Sequence, residues 1–319
     1  MTATPIPADG VAPLSCPDFT RDLDITTSEL LALLDLADEM KRSPRRFAQS
    51  LAGRYMAMMF EKPSLRTRMT FELAIKQLGG DAIFHSGVIG EREPIRDIAR
   101  NLDRWTDCIV ARVFSHQTVL DLAQWSSVPV VNALCDKYHP CQVLADVQTI
   151  RGRFGALRGL TLAFIGDGNN VAHSLMQTCA RLGLNFRIAC PKGYEPDAAI
   201  LAETRQIASA LKVDVEVTND PRAAVQRAEC VYTDVWASMG QEAQSVERRA
   251  IFQPFQINAD LLREAHRDAI FMHCLPAKRN QEVTDDVMES AQSVVFDQAE
   301  NRLHAQKALL VMLLGRSPR

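Results

Sequence analysis

The sequence predicts an α/β protein of two domains, each a central parallel sheet flanked by helices. Three observations carry this. Short apolar runs alternate with longer stretches of helical spacing along most of the chain. The 319 residues suffice for one large domain or two of ordinary size. A Gly/Arg-rich joint, "RGRFGALRG", interrupts the alternation midway.

Before the joint, strands are predicted at Tyr55–Phe60, Ala82–Phe84, Cys108–Arg112 and Val128–Asn132. After it they are predicted at Thr161–Gly166, Phe186–Cys190, Val213–Val217, Cys230–Thr233, Ile270–His273 and Ser293–Phe296. Between Tyr55–Phe60 and Ala82–Phe84, Phe71, Ala74, Ile75 and Leu78 repeat as i, i+3, i+4, i+7, the stripe of an amphipathic helix. Ser64, after Pro63, suits its N-cap, and Gly79-Gly80 its stop. A second helix starts at Pro140, a residue suited to a first helical position, and buries Val143, Leu144, Val147 and Ile150. The final stretch, "ENRLHAQKALLVMLLGR", is apolar and helical, and is expected to dock on the body.

Composition narrows the function. Hydrophobic residues make up 47% of the chain and charged residues 24%, as in an ordinary globular protein. A net charge of -3 argues against a nucleic-acid binder, so basic residues are read locally, as anion sites. No window reaches the length of a membrane span, and "MTATPIPADGVAPLSCPDF" lacks the basic start and apolar core of a secretory leader. Eight cysteines without CxxC pairs suggest reduced thiols in a cytosolic protein.

Several motifs point to chemistry. In "EKPSLRTRMTF", Ser64, Arg66, Thr67 and Arg68 crowd the first turn of a helix, where the dipole already favours anions. Arginines there do not stabilise the helix. They fit a bound dianion held by N–H groups, hydroxyls and guanidinium forks; the alternative is a solvated basic turn. In "DKYHPCQVLADVQTI", His139 and Gln142 flank the start of the second helix and can face one ligand, or His139 is a polar surface residue. A metal site from His139 and Cys141 lacks a matching pair at zinc spacing. "FIGDGNNVAHSLM" is a strand, a Gly-rich turn and a helix, but Val171 replaces the third glycine of a dinucleotide fingerprint. Asn169 and Asn170 there offer amides at a strand's carboxyl end, or form a plain turn. Asp234, in "YTDVWASMGQE", is a candidate partner for an amine or a capping acid. "FMHCLPAKR" places His273, Cys274 and Leu275 at another strand end. Cys274 there is either a reagent or a small buried hydrophobe.

"SLRTR", "HPCQ", "DVWASMGQ", "HCLPA" and "ENRLHAQKA", taken together and in this order, closely resemble the ornithine carbamoyltransferases of the aspartate/ornithine carbamoyltransferase family. The resemblance covers nearly the whole chain. It implies a carbamoyl-phosphate-binding domain, residues 1–148, to which the C-terminal helix 300–319 returns, and an L-ornithine-binding domain, 149–299. It also implies a homotrimer, or an assembly of trimers, that needs no metal or organic cofactor; charge and hydropathy, as above, point to neither a nucleic-acid nor a membrane partner. By position, Ser64, Arg66 and Thr67 would bind the phosphate, with the backbone N–H of Leu65. Arg112 would reach the bridging and carbonyl region, and His139 and Gln142 would hold the carbamoyl group. Asn170 or Asn169, with Asp234, Ser238 and Met239, would form the ornithine site. Cys274 and Leu275 would form the strand-end turn beside the reacting amine, and Arg302 matches the arginine of the C-terminal motif.

The implied reaction converts carbamoyl phosphate and L-ornithine to L-citrulline and phosphate. Asp234 and Cys274 would orient the amine or take its proton, while Arg66, Arg112 and His139 would face the developing oxyanion. Three departures from the family pattern stand out: Leu65 where threonine is common, Lys278 after "HCLPA" where histidine is common, and a short "HSGVIGEREPIRD" loop with Pro94. An aspartate substrate would need a cationic site, whereas "DVWASMGQ" supplies an acid and a thioether. The SMG motif favours free ornithine over N-acylornithine or putrescine. A cysteine hydrolase using Cys274 and His273 is geometrically poor, since strand neighbours point to opposite faces. A catalytically inactive homologue is the non-enzyme alternative.

Overall fold

The computed structural model describes residues 10–237 and 245–315. The chain divides into two compact units, Met1–Gln148 with Glu300–Arg319, and Thr149–Ala299.

The first unit holds β1 (Tyr55–Phe60), β2 (Asp81–Ser86), β3 (Cys108–Arg112) and β4 (Val130–Leu134) in the order β2-β1-β3-β4, all pairs parallel. Helices α1 (Thr27–Arg42), α2 (Leu65–Gln77), α3 (Ile95–Trp105), α4 (His116–Trp125) and α5 (Pro140–Phe154) accompany them. Strand β3 is buried along its full length, as a parallel strand covered on both faces must be. At the start of α1, the Thr26 hydroxyl accepts from the Glu29 N–H, and the Glu29 carboxylate accepts from Thr26 N at 2.7 Å. This reciprocal cap satisfies two otherwise orphaned donors. Ser64 caps α2 as predicted, its Oγ accepting from Thr67 N at 3.3 Å. Gly79 ends that helix at φ +93°, a conformation glycine adopts without strain.

The second unit holds β5 (Thr161–Ile165), β6 (Asn185–Ala189), β7 (Val215–Thr218), β8 (Cys230–Thr233) and β9 (Ile270–His273) in the order β7-β6-β5-β8-β9, again all parallel. Its helices are α6 (Asn170–Leu182), α7 (Ala198–Leu211), α8 (Pro221–Val225), α9 (Ser245–Phe252), α10 (Ala259–Leu262) and α11 (Asp285–Met288). One core cluster joins Ala163, Ile165, Val231 and Phe271 of the strands to Val225, Leu262 and Val287 of the helices. Each such buried branched or aromatic side chain contributes roughly 1.5–3 kcal/mol.

Helix α12 (Val295–Leu314) runs into the first unit. There Leu14 N donates to Met312 O at 3.0 Å, and Lys41 Nζ donates to Asn301 Oδ1 at 2.9 Å. The C-terminal helix therefore packs on the first unit.

Two boundaries differ from expectation for identifiable reasons. The strand predicted from Val128 begins at Val130, because Pro129 has no N–H to give the ladder and only its carbonyl pairs, accepting from Ile109. Val213 closes α7 by donating to Ala208 O rather than opening β7. The tenth predicted strand, Ser293–Phe296, is not formed. Ser293 makes a single bridge to Phe271, and from Val295 the chain is helical. The apolar triplet Val294-Val295-Phe296 reads equally well as a strand or a helix start.

Candidate active site

Open α/β sheets bind ligands beyond the carboxyl ends of their strands, where the strand order reverses. In the first sheet that reversal lies between β1 and β3, which have β2 and β4 on opposite sides. Strand β1 leads to Ser64 and the first turn of α2, and β3 ends on Arg112. In the second sheet the reversal lies between β5 and β8. The turn after β5 carries Asn169, and Asp234 directly follows β8. Ser64, Arg66, Thr67 and Arg112, and Asn169, Asn170 and Asp234, thus lie on the elements that meet at these reversals. By contrast, His139 and Gln142 follow β4, Cys274 and Leu275 follow β9, and Arg302 lies on the C-terminal helix.

In the first unit, Arg302 Nη2 donates to the Thr67 hydroxyl at 3.0 Å, and Arg112 Nη1 reaches the same oxygen at 3.4 Å. Thr67, Arg112, Arg302, His139 and Gln142 are all buried. Burial, followed by the nearby guanidiniums of Arg302 and Arg112, holds His139 well below the ordinary histidine range. The imidazole is therefore neutral, with one N–H to donate. Gln142 N donates to His139 O at 3.0 Å in the first turn of α5. Leu65 is 74% exposed, so its side chain adds nothing to this cluster. Arg68 points elsewhere: its guanidinium lies 3.9 Å over the Phe84 ring and it pairs with Glu72. The expectation that Arg68 shares an anion site with Arg66 is corrected by that stacking. Cys141 is structural: burial pushes its thiol up to about 12, and it donates to Asn132 O at 3.3 Å.

The neutral state of His139 has a consequence for stability. An unfolded histidine protonates near about 6.5, whereas the native His139 does not. Below that pH the unfolded chain binds more protons, so stability is lost as pH falls below about 6.5 and is retained above it. Burial displaces His116 and His304 in the same direction. The three histidines together should lower the thermal midpoint as pH drops from about 7 to about 5. The Asp167 carboxyl, raised to about 6, acts in the opposite sense below that pH. His139→Asn should flatten the histidine-dependent slope. A wild-type slope in the variant would show that His139 takes no part in it.

In the second unit, three donors fix Asp234. Cys274 Sγ donates to Oδ1 at 3.0 Å, Val235 N donates to Oδ1 at 2.8 Å, and Asn169 Nδ2 donates to Oδ2 at 2.8 Å. Asn169 is engaged at both ends, since its Oδ1 caps α6 by accepting from Val171 N and Ala172 N. The His273 ring is hydrogen-bonded to other groups. Its Nδ1 accepts from Leu275 N at 2.8 Å, and its Nε2 lies 3.3 Å from the buried Glu282 carboxylate. A Cys274–His273 dyad is therefore not formed. Leu275 follows at φ +57°, an uncommon conformation for a branched residue, held by its bond to His273. Asp234, His273 and Cys274 bring one potential metal-ligand atom each within 4.8 Å, but the imidazole and thiol are committed to the hydrogen bonds just described. Ser238 and Met239 lie outside the described residues.

Sequence reasoning missed two features. Arg248 of α9 forms a buried ion pair with Asp167, donates to Trp236 O, and lies over the Tyr194 ring at 4.7 Å. Burial pushes the Asp167 carboxyl up to about 6, against the opposing pull of Arg248. Nothing in "QSVERRAIF" marks this arginine out. Beside it, Gly168 brings the backbone so close that a Cβ would stand 2.3 Å from Pro196 N, which accounts for the glycine. The second missed feature is Asp146, whose i+4 spacing from Gln142 was visible in the sequence.

Residues 18–152 match the carbamoyl-P binding domain of aspartate/ornithine carbamoyltransferases, and residues 158–313 match the Asp/Orn binding domain. The chain belongs to the aspartate/ornithine carbamoyltransferase family. It is 51% identical over 300 residues to an ornithine carbamoyltransferase of Thermococcus kodakarensis, covering 92% of this chain and 94% of that protein. The solved ornithine carbamoyltransferase from Pyrococcus furiosus superposes with a TM-score of 0.93 at 47% identity, over 97% of this chain and 100% of that one. An acetylornithine transcarbamylase complexed with acetylcitrulline is similar at 30% identity and a TM-score of 0.84, over 93% of this chain and 98% of that one. Thr67, Arg112, His139 and Gln142 fall in the first match, and the Asp234 group, together with Arg302, falls in the second.

Proposed function

We propose that this protein is an ornithine carbamoyltransferase, transferring the carbamoyl group of carbamoyl phosphate to the side-chain amine of L-ornithine to give L-citrulline and phosphate. The observation that carries the anion half is the convergence of Arg112 and Arg302 on one buried hydroxyl, beside a neutral His139. The acceptor is assigned from the near-full-length likeness to proteins named for ornithine. Ser64, Arg66 and Thr67, with the Leu65 N–H, take the phosphate at the positive end of α2. Arg112, Arg302, His139 and Gln142 take the carbamoyl portion, with Leu275 at the turn beside it. Asp234, Asn170, Ser238 and Met239 bind ornithine.

The amine must shed a proton before it attacks, since its ordinary pKa is near 10.4. Asp234 orients it and receives that proton, while the Cys274 S–H donates to the same carboxylate. Cys274 acts through its hydrogen bond to Asp234 and not as a covalent nucleophile. As the N–C bond forms, charge grows on the carbamoyl oxygen, faced by guanidinium and imidazole donors. Collapse restores the carbonyl and breaks the C–O bond to phosphate, whose departing oxygen takes the second proton from the attacking nitrogen and whose charge is already balanced by the helix start and Arg66. An acyl phosphate carries its own activation, so the step needs no redox or organic cofactor.

The chain assembles as a homotrimer. Support comes from the exposed apolar side chains Leu65, Met69 and Leu73 along one stripe of α2, and from Ile83 at 65% exposure on the edge strand β2. An open edge with such residues suits a second copy; light scattering of the purified chain would test this. A cytoplasmic location is supported by eight cysteines that all stand as thiols. No helix among the described residues is long and apolar enough to cross a membrane.

A second reading, transfer to N-acylornithine or putrescine, draws on the likeness to the acetylornithine enzyme. Product formation from carbamoyl phosphate with each amine separately decides between them. Citrulline from ornithine is expected; product only with another amine would replace the first reading by the second.

A further inference from the structure

Gln142 and Asp146 stand four residues apart on α5, so their side chains share one face of the helix. Both are buried, at 1% and 0% exposure. Gln142 Nε2 donates to Asp146 Oδ1 at 2.8 Å. An ionised carboxylate only accepts, so this bond determines which way round the amide stands. The Gln142 carbonyl oxygen is thereby turned away from Asp146. It is buried, and among the described residues it has no hydrogen-bond donor. A buried amide oxygen of fixed orientation, one turn from a neutral imidazole, is built to accept from an N–H group.

We propose that Asp146 is a positioning residue for substrate selectivity: by locking the Gln142 amide, it makes the site choose an acyl phosphate whose acyl group bears N–H donors. The inference rests on the carbamoyl-transfer reading above and deepens it. Acetyl phosphate shares the phosphate and carbonyl of carbamoyl phosphate but places a methyl where the latter has NH₂. The locked oxygen can pair with the second and not with the first. A site that hydrogen-bonds a substrate group discriminates strongly against the analogue lacking it.

The test is Asp146→Asn in the full-length protein, whose new amide can donate as well as accept and so releases the lock. Two quantities are measured, kcat/KM for carbamoyl phosphate and the inhibition constant of acetyl phosphate as a competitor. The expected result is a loss of roughly tenfold or more in the selectivity between them, arising from carbamoyl phosphate, while acetyl phosphate binds as before. A merely structural role would weaken both in parallel. Parallel weakening, or an unchanged ratio, overturns the proposal. Gln142→Met removes the amide at similar volume and should lose the same selectivity. Adding Asp146→Asn to it should then change the ratio no further; a further change would overturn the proposal. If the wild-type protein made no citrulline, the functional reading would fail by itself. Equilibrium binding of the two acyl phosphates to wild type and Asp146→Asn would still decide the role of Asp146.

Discussion

Arg66→Ala should lower kcat/KM for carbamoyl phosphate by about 10²–10³-fold, equivalent to roughly 2.7–4 kcal/mol, and weaken inhibition by inorganic phosphate. The same change should move the thermal midpoint far less than it moves activity. Arg66 is half-buried at the second position of α2, directly after the Ser64 cap. A cation there opposes the helix dipole, at a cost of about 0.3–1 kcal/mol. Removing it relieves that opposition while stripping the anion site, so activity is expected to fall far more than stability. Arg66→Lys should fall between the two, since it keeps the charge and loses the guanidinium fork. If Arg66→Ala left both citrulline synthesis and phosphate inhibition within about threefold of wild type, the phosphoryl group would not sit at this helix start.

Asp234→Asn should act on the other substrate. The Asp234 carboxylate accepts from Cys274, Val235 and Asn169. An amide in its place turns an NH₂ toward at least one of these donors and removes the charge that orients the amine. The ornithine KM is expected to rise by about 10²-fold or more, with a fall in kcat, because one partner of a buried charge-assisted pair is lost. The KM for carbamoyl phosphate should stay near wild type, since the residues assigned to it at the α2 and α5 helix starts keep their contacts. A stability loss of about 1–3 kcal/mol accompanies the donor clash. Unchanged ornithine saturation would reduce Asp234 to a capping acid. Together, the two variants separate the substrates by residue.

Local pattern made much of this legible. Strands β1, β3, β8 and β9 were readable to the residue because each is a short apolar run bounded by polar or turn residues. The caps at Ser64 and the helix start at Pro140 follow from chemistry within a few positions. What pattern does not carry is pairing at a distance. Arg302 meets Thr67 across 235 positions, Arg248 meets Asp167 across 81, and Cys274 meets Asp234 across 40. Asp234 and Cys274 had two local readings each, Arg248 and Asp167 had none, and only folding brings the partners together. The direction of His273 shows the same limit. Strand alternation separates it from Cys274, but its commitment to Leu275 N and Glu282 depends on a turn the pattern does not describe.

The return of α12 to the first unit sets an order of maturation. Leu309, Leu310 and Val311 are fully buried, and Met312 accepts from Leu14. The half whose sheet is synthesised first therefore waits for the last segment to leave the ribosome before its interior is complete. The half encoded by one unbroken stretch, Thr149–Ala299, has no such wait. During translation the later half can be finished while the earlier one still presents apolar surface to chaperones.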